Sequence, residues 1–235
     1  MSFRVKACAA TVAAACALFG PAAMASPGVS HAPVQVTGKH LKNGLLPPTG
    51  FLPGYKTLFA SNSGGKLEHF TTFHIPSMKC SDFWLFNGDV DGFGETAFAS
   101  ETATFKSISA PTQELFEQSV YQFASNHAAA AVYAQIGAKY KSCKSLSSSN
   151  GHGGTSKQSV HSRVAERVGG HQSLLLTEFF TDSSTPGPPL VTVALWTLDG
   201  TDIYMVHSML LNVHAPKPTL SSLVLKLIHR VRALR

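Results

Sequence analysis

The C-terminal half of the chain most constrains its fold, because apolar segments alternate there with short turns. Residues 190–198, LVTVALWTL, are almost all apolar or β-branched, which is typical of a central strand. Gly169-Gly170 favours a hairpin into residues 173–181, and Asp199-Gly200 turns the chain from this strand into residues 202–213. We therefore predict a meander of about four strands over residues 159–213.

Helical patterns flank this meander. Residues 128–140, AAAAVYAQIGAKY, contain strong helix formers with apolar residues on one face, and Ser125 or Asn126 can cap the helix. Residues 220–231 contain a second apolar stripe at helical spacing. The order of strands, helix, meander and helix indicates an α+β fold, in which the helices pack on an antiparallel sheet.

The remaining segments give weaker patterns. Residues 114–123 are rich in aromatic side chains and predict a strand, and one or two strands fit residues 67–86. Residues 96–107 fit a strand or a helix equally well. Residues 145–157, which are rich in serine and glycine, predict a flexible polar loop.

The N-terminus has the three parts of a secretory signal peptide. It has a basic start, an apolar run over residues 7–19 and small residues before a cleavage point after Ala25. We predict that residues 1–25 are removed and that the protein is secreted or associated with the cell envelope. A lipid-modified Cys16 is an alternative that would keep the protein on the cell.

The rest of the chain is predicted to be one domain. Residues 26–44 are rich in Pro, Gly, Ser and His and predict a flexible linker, and residues 45–235 are enough for a sizeable core. No apolar run after the leader is long enough for a transmembrane helix. The formal net charge of +6 is too modest to indicate a nucleic-acid partner, but it permits contact with anionic wall or lipid surfaces.

The cysteines predict one disulfide. Two of the four cysteines lie in the predicted leader, which leaves Cys80 and Cys143 in the mature chain. An even pair in an oxidising compartment is expected to be bonded. The alternative is two free thiols, one of which would be nucleophilic.

Residues 87–95, NGDVDGFGE, resemble the start of a calcium loop. Oxygen ligands would come from Asn87, Asp89, Asp91 and Glu95. The twelfth position, where such a loop places its bidentate carboxylate, is apolar in this sequence. We therefore favour a simple turn, keep these four residues as the weaker metal-binding alternative, and predict no cofactor.

Sequence signatures of enzymatic chemistry are missing. The chain has no G-x-S-x-G motif, and NGHGG at residues 150–154 lacks the Lys-Ser/Thr of a phosphate loop. His69 and His74 have no evident partner in metal-ligand register. His207 lies between Met205 and Met209 on one strand face, so we expect it at the core or its rim rather than as a general base.

Residues 120–143, in which a strand and an Ala-rich helix precede a Cys, resemble the extracellular sensor domain of actinobacterial PknH-type Ser/Thr kinases and related secreted sensor proteins. LLPPTGFLPGYKTL, residues 45–58, resembles the opening of those domains. The order Cys80, helix, Cys143, meander, helix also fits. The resemblance covers residues 45–235 and implies an α/β sandwich-like domain with an exposed ligand-binding cleft. It departs from the family in keeping two cysteines rather than four and in having no kinase domain.

Together these patterns predict a secreted, non-enzymatic ligand-binding domain for an unidentified small molecule or envelope component. Our candidates for its apolar cleft wall are Trp196, Tyr204 and Met205. The alternatives are a secreted hydrolase with a triad assembled from distant residues, and a structural envelope protein without a ligand. The sequence predicts no oligomeric state.

The basic side chains of the last helix allow two interpretations. Lys226, Arg230 and Arg232 could contact anionic wall polymer or lipid headgroups. We favour the simpler interpretation, a solvated face with a favourable charge at the helix end.

Overall fold

The computed structural model describes residues 34–51, 55–62, 75–77, 79–80, 93–105, 115–149, 154–183, 189–210 and 220–235. These residues form an α+β domain whose elements have the following bounds. The strands are β1 (Tyr55–Asn62), β2 (Ala97–Phe105), β3 (Leu115–Gln122), β4 (Ser145–Ser149), β5 (Thr155–Val168), β6 (His171–Asp182), β7 (Leu190–Asp199) and β8 (Asp202–Leu210). The helices are α1 (Gly38–Lys42), α2 (Pro48–Phe51), α3 (Asn126–Ser142) and α4 (Leu220–Arg232), with a 3-10 turn at Ile75–Ser77.

The strands form one antiparallel sheet in the order β1-β2-β3-β8-β7-β6-β5-β4. The predicted meander corresponds to β5–β8, and β7 lies between β6 and β8 as its apolar sequence indicated. Gly169 and Gly200 turn the two predicted hairpins with φ of +58° and +60°, a conformation that glycine adopts at little cost. The segment 96–107, which fitted either structure, forms β2.

Helices cover both faces of the sheet. We call the face under α1 and α4 the α4 face, and the face under α3 the α3 face. The core of the α4 face contains apolar side chains from the sheet and both helices, including Leu41, Phe116, Val120, Leu195, Val206, Leu223, Val224, Leu227 and Val231. The core of the α3 face contains Phe93, Phe98, Tyr121, Ile136, Tyr140, Leu174, Leu176, Trp196 and Met205.

Helix α3 forms where its sequence predicted it. The Ser125 hydroxyl accepts a hydrogen bond from the Ala128 N–H at 3.1 Å and caps the helix. The apolar residues of its predicted inward face are Ala129, Val132, Tyr133, Ile136 and Tyr140. Of these, Ala129, Ile136 and Tyr140 are buried, and Val132 and Tyr133 are partly buried. The predicted disulfide between Cys80 and Cys143 forms at its C-terminal end, with the two Cα atoms 5.4 Å apart.

The packed domain begins before Leu45, where the sequence placed its start. Two glutamines of β3 hold the N-terminal segment on the α4 face, one on each side of Leu45. Gln118 exchanges two hydrogen bonds with the backbone of Leu46, at 2.8 and 2.7 Å. Gln122 does the same with the backbone of Val36, at 3.0 and 2.9 Å. Residues 34–44, predicted to be linker, are therefore part of the fold, because Gln122 pairs with the backbone of Val36 and Arg230 donates to the carbonyls of Asn43 and Gly44.

The prediction of a polar loop over residues 145–157 is wrong for most of its length. Ser145–Ser149 forms β4 and pairs with the first residues of β5. An edge strand needs backbone hydrogen bonds but no apolar side chains, so its serine-rich composition hid it. The predicted signal peptide and most of the segment 67–86, for which one or two strands were predicted, lie outside the described residues. The described part of that segment contains the 3-10 turn at Ile75–Ser77.

Candidate ligand-binding site

Polar side chains gather on the α3 face, across four adjacent strands. Glu117 of β3 lies directly opposite His207 of β8, and Glu178 of β6 lies opposite Thr192 of β7. Successive side chains of a strand alternate between faces, and the α3-face core residues Leu176, Ala194 and Met205 each lie two positions away from one of these side chains. We call this group the Glu117–His207–Glu178 cluster.

The cluster is only partly satisfied by its own contacts. The Nδ1 of His207 lies 3.6 Å from a carboxylate oxygen of Glu117. The Oε2 of Glu178 accepts hydrogen bonds from Thr192 and Gln158, both at 3.2 Å. Among the described residues, however, Glu178 Oε1 and His207 Nε2 are buried and have no hydrogen-bond partner.

Burial and neighbouring charges set the protonation of this cluster. Burial raises the pKa of the Glu178 carboxyl above its ordinary value, and His207 and the two hydrogen bonds only partly oppose this. Burial lowers the pKa of His207, but the contact with Glu117 and the charge of Glu178 outweigh it, so the net direction is upward. The Glu178 and His207 charges are thus close enough to affect each other.

The two unpartnered atoms have complementary hydrogen-bonding chemistry. A protonated His207 presents a donor at Nε2, and the free oxygen of Glu178 presents an acceptor. Glu178 is 1% exposed, whereas the side chains of His207 and Glu117 are 12% and 14% exposed. Glu178 and the Nε2 of His207 are therefore buried, and only other parts of the His207 and Glu117 side chains reach the surface.

The fold is similar to that of the extracellular domain of PknH from Mycobacterium tuberculosis. Its crystal structure aligns with a TM-score of 0.57 at 10% sequence identity, covering 84% of this chain and 97% of that domain. No protein-family model and no curated protein matches the sequence. At this identity the likeness concerns the fold, and it agrees with the architecture that the sequence resemblance implied. Among the described residues, no helix is long and apolar enough to cross a membrane.

The three predicted cleft-wall residues are in the core. Trp196 and Met205 are opposite each other on β7 and β8 and are both 1% exposed. Trp196 stacks on Tyr121 with ring centroids 6.0 Å apart. Tyr204 is on the opposite face of the sheet, where its hydroxyl donates to Asp202 at 3.0 Å. Only Met205 and Trp196 lie on the face of the cluster, as part of its apolar surroundings.

Of the weaker calcium ligands, Glu95 alone can be placed. Its carboxylate is buried and accepts a hydrogen bond from the Phe93 N–H at 2.7 Å, as in a local turn. Asn87, Asp89 and Asp91 lie outside the described residues, as do His69 and His74. Across the part of the chain that the structure describes, no group of three or more His, Cys, Asp or Glu side chains is placed to hold a metal ion.

Glu117 and Glu178 were not among the residues predicted from the sequence, and His207 had no predicted functional role. Their signal was a charged residue inside an otherwise apolar or aromatic strand, as in SLLLTEFFT around Glu178. A charged side chain is seldom buried without a partner, so an inward-facing glutamate in a central strand points to a polar site. Finding it required knowledge of which face of the sheet each residue occupies.

Proposed function

We propose that this chain is an extracellular, non-enzymatic ligand-binding domain of the sensor type, with the Glu117–His207–Glu178 cluster as the polar centre of its site. The observation that carries the proposal is the pair of buried atoms, Glu178 Oε1 and His207 Nε2, that lack partners among the described residues. Buried polar groups without partners cost about 1–3 kcal/mol each, so a ligand that satisfies both gains that free energy on binding.

The donor and acceptor pattern selects a hydroxyl-bearing ligand, such as a sugar or polyol. A hydroxyl group can accept from protonated His207 and can donate to Glu178, so the hydroxyls of one ligand supply the partners that both atoms lack. Glu117 keeps the imidazole oriented and charged through its contact with Nδ1. The likeness to the extracellular domain of PknH supports a position outside the cell, as does the predicted signal peptide.

Calorimetry and thermal unfolding with a panel of monosaccharides and polyols test this proposal. We expect at least one compound to raise the unfolding midpoint with increasing concentration, as native-state binding requires. Glu178→Gln replaces the free oxygen with a donor and should weaken that binding by roughly tenfold or more. The matched control is Glu166→Gln on β5, outside the cluster, which should bind as the unaltered protein does. No stabilisation by any compound of the panel, or equal loss in both variants, would refute the proposal.

A second candidate, a hydrolase, is favoured by the Glu117–His207 pair. A carboxylate on one imidazole nitrogen and a free second nitrogen is the arrangement of orienting group and base in a catalytic triad. Within the described residues, however, no hydroxyl or thiol is hydrogen-bonded to His207 Nε2. Covalent labelling by a fluorophosphonate probe, lost in His207→Ala, would favour the hydrolase over the binding domain.

A further inference from the structure

A groove between α2 and α4 lies on the α4 face, away from the Glu117–His207–Glu178 cluster. Its volume is about 520 Å³. Apolar lining comes from Leu46, Pro47 and Leu225, and the basic side chains of α4 form its rim. Leu225 is 36% exposed although it is a large apolar residue, so the groove presents apolar surface to its surroundings.

The charged residues in the N-terminal segment and in the C-terminal segment with α4 are all basic. Residues 34–51 and 220–235 contain no Asp or Glu and six Lys and Arg, namely Lys39, Lys42, Lys226, Arg230, Arg232 and Arg235. Two of these are neutralised, since Arg232 pairs with Asp199 at 2.6 Å and Arg235 with Asp202 at 2.8 Å. Lys39, Lys42, Lys226 and Arg230 have no ion pair among the described residues.

Arg230 is held at the junction between α1 and α4. Its Nε donates to the Gly44 carbonyl and one terminal nitrogen to the Asn43 carbonyl, both at 3.2 Å. Because Asn43 directly follows Lys42, the end of α1 brings a second cation close to the groove. The remaining N–H groups of Arg230 are available for an anionic partner.

We propose that this groove and its cationic rim dock the protein on a membrane surface rich in anionic lipids. Exposed cations attract the negative surface, and the apolar lining around Leu225 accepts the acyl region just below the headgroups. Each Lys or Arg near such a surface strengthens binding by roughly fivefold. The charges alone would attract a soluble anion as well. The apolar lining favours a lipid surface, because only lipid offers apolar chains for it to contact.

Co-sedimentation of the whole protein with vesicles tests this. We expect binding to equimolar phosphatidylglycerol and phosphatidylcholine vesicles that weakens at high salt, and little binding to phosphatidylcholine alone. Lys42→Gln combined with Lys226→Gln should reduce binding about thirtyfold. Lys141→Gln with Lys144→Gln is the matched control, because it removes the same charge near the C-terminal end of α3, against the opposite face of the sheet, and should leave binding almost unchanged.

Several outcomes would overturn the proposal. One is equal binding to neutral and anionic vesicles, or no binding to either. Another is an equal loss of binding in the Lys42/Lys226 and Lys141/Lys144 variants, which would show an effect of net charge alone. If glycerol phosphate in the millimolar range displaced the protein from vesicles as effectively as added vesicle lipid does, the groove would be a small-anion site instead. Retention on purified anionic wall polymer without vesicle binding would assign the surface to a different partner. Thermal unfolding of each variant confirms that it is folded.

Discussion

Replacing Gln118 by Leu tests whether two side-chain hydrogen bonds hold the N-terminal segment in place. Gln118 is completely buried, and its amide satisfies both the N–H and the C=O of Leu46. Leucine has a similar volume but no polar atoms, so it leaves two buried backbone groups without partners. Each costs about 1–3 kcal/mol, and better burial of the apolar side chain offsets part of the sum. We expect the free energy of unfolding to fall by about 3 kcal/mol.

Urea unfolding followed by circular dichroism measures this change. In thermal unfolding of a domain of this size, a loss of about 3 kcal/mol corresponds to a fall in Tm of roughly 10 °C. Faster hydrogen exchange at the Leu46 amide would locate the effect at this contact. The matched control is Gln172→Leu on β6, because Gln172 is exposed and makes no side-chain hydrogen bond among the described residues. Surface substitutions usually change the free energy of unfolding by less than about 0.5 kcal/mol. The reasoning is refuted if the free energies of unfolding of Gln118→Leu and Gln172→Leu differ by no more than that.

Three further predictions concern stability. Burial raises the pKa of the Glu178 carboxyl in the folded state, so its ionisation lowers the free energy of unfolding as the pH rises above 4.5. In urea unfolding over that range, the free energy of unfolding of Glu178→Gln should therefore increase relative to that of the unaltered protein. A constant difference at every pH contradicts this. Replacing both Cys80 and Cys143 by Ser opens a loop with a sequence separation of 63 residues and should cost about 4 kcal/mol. An unchanged midpoint in thermal unfolding would argue against it. Gly44→Ala would place a Cβ 2.8 Å from Val231 Cγ2 and should lower the free energy of unfolding by about 1–3 kcal/mol, and a neutral result would show that α4 can shift.

Local patterns were enough to predict several elements of this fold. The Gly-containing turns at 169–170 and 199–200 specify their hairpins because the chain reverses there within a few residues. The Ser125 cap and the spacing of Ile136 and Tyr140 identify α3 for the same reason, since capping and helical periodicity act within one or two turns. These features depend on neighbours in the sequence, so the sequence alone reveals them.

Local patterns failed where one segment must find a distant partner. The serine-rich β4 forms because the backbone of β5 is beside it, and residues 34–44 join the fold because Gln122 reaches the backbone of Val36. Neither contact leaves a periodic signal in the segment that is held. A composition rich in Ser, Gly or Pro is therefore compatible with a loop, a linker or a packed edge.

The candidate site shows most clearly the difference between features set by local sequence and features set by distant partners. The sequence by itself determined that Trp196 and Met205 are on apolar strands, but both faces of this sheet are covered, so it could not tell a cleft wall from a core. Only the tertiary structure brought Glu117, His207 and Glu178 together, across strands that are far apart in the chain. The physical reason is that strand register decides which side chains become neighbours, and register depends on the whole sheet rather than on any one strand.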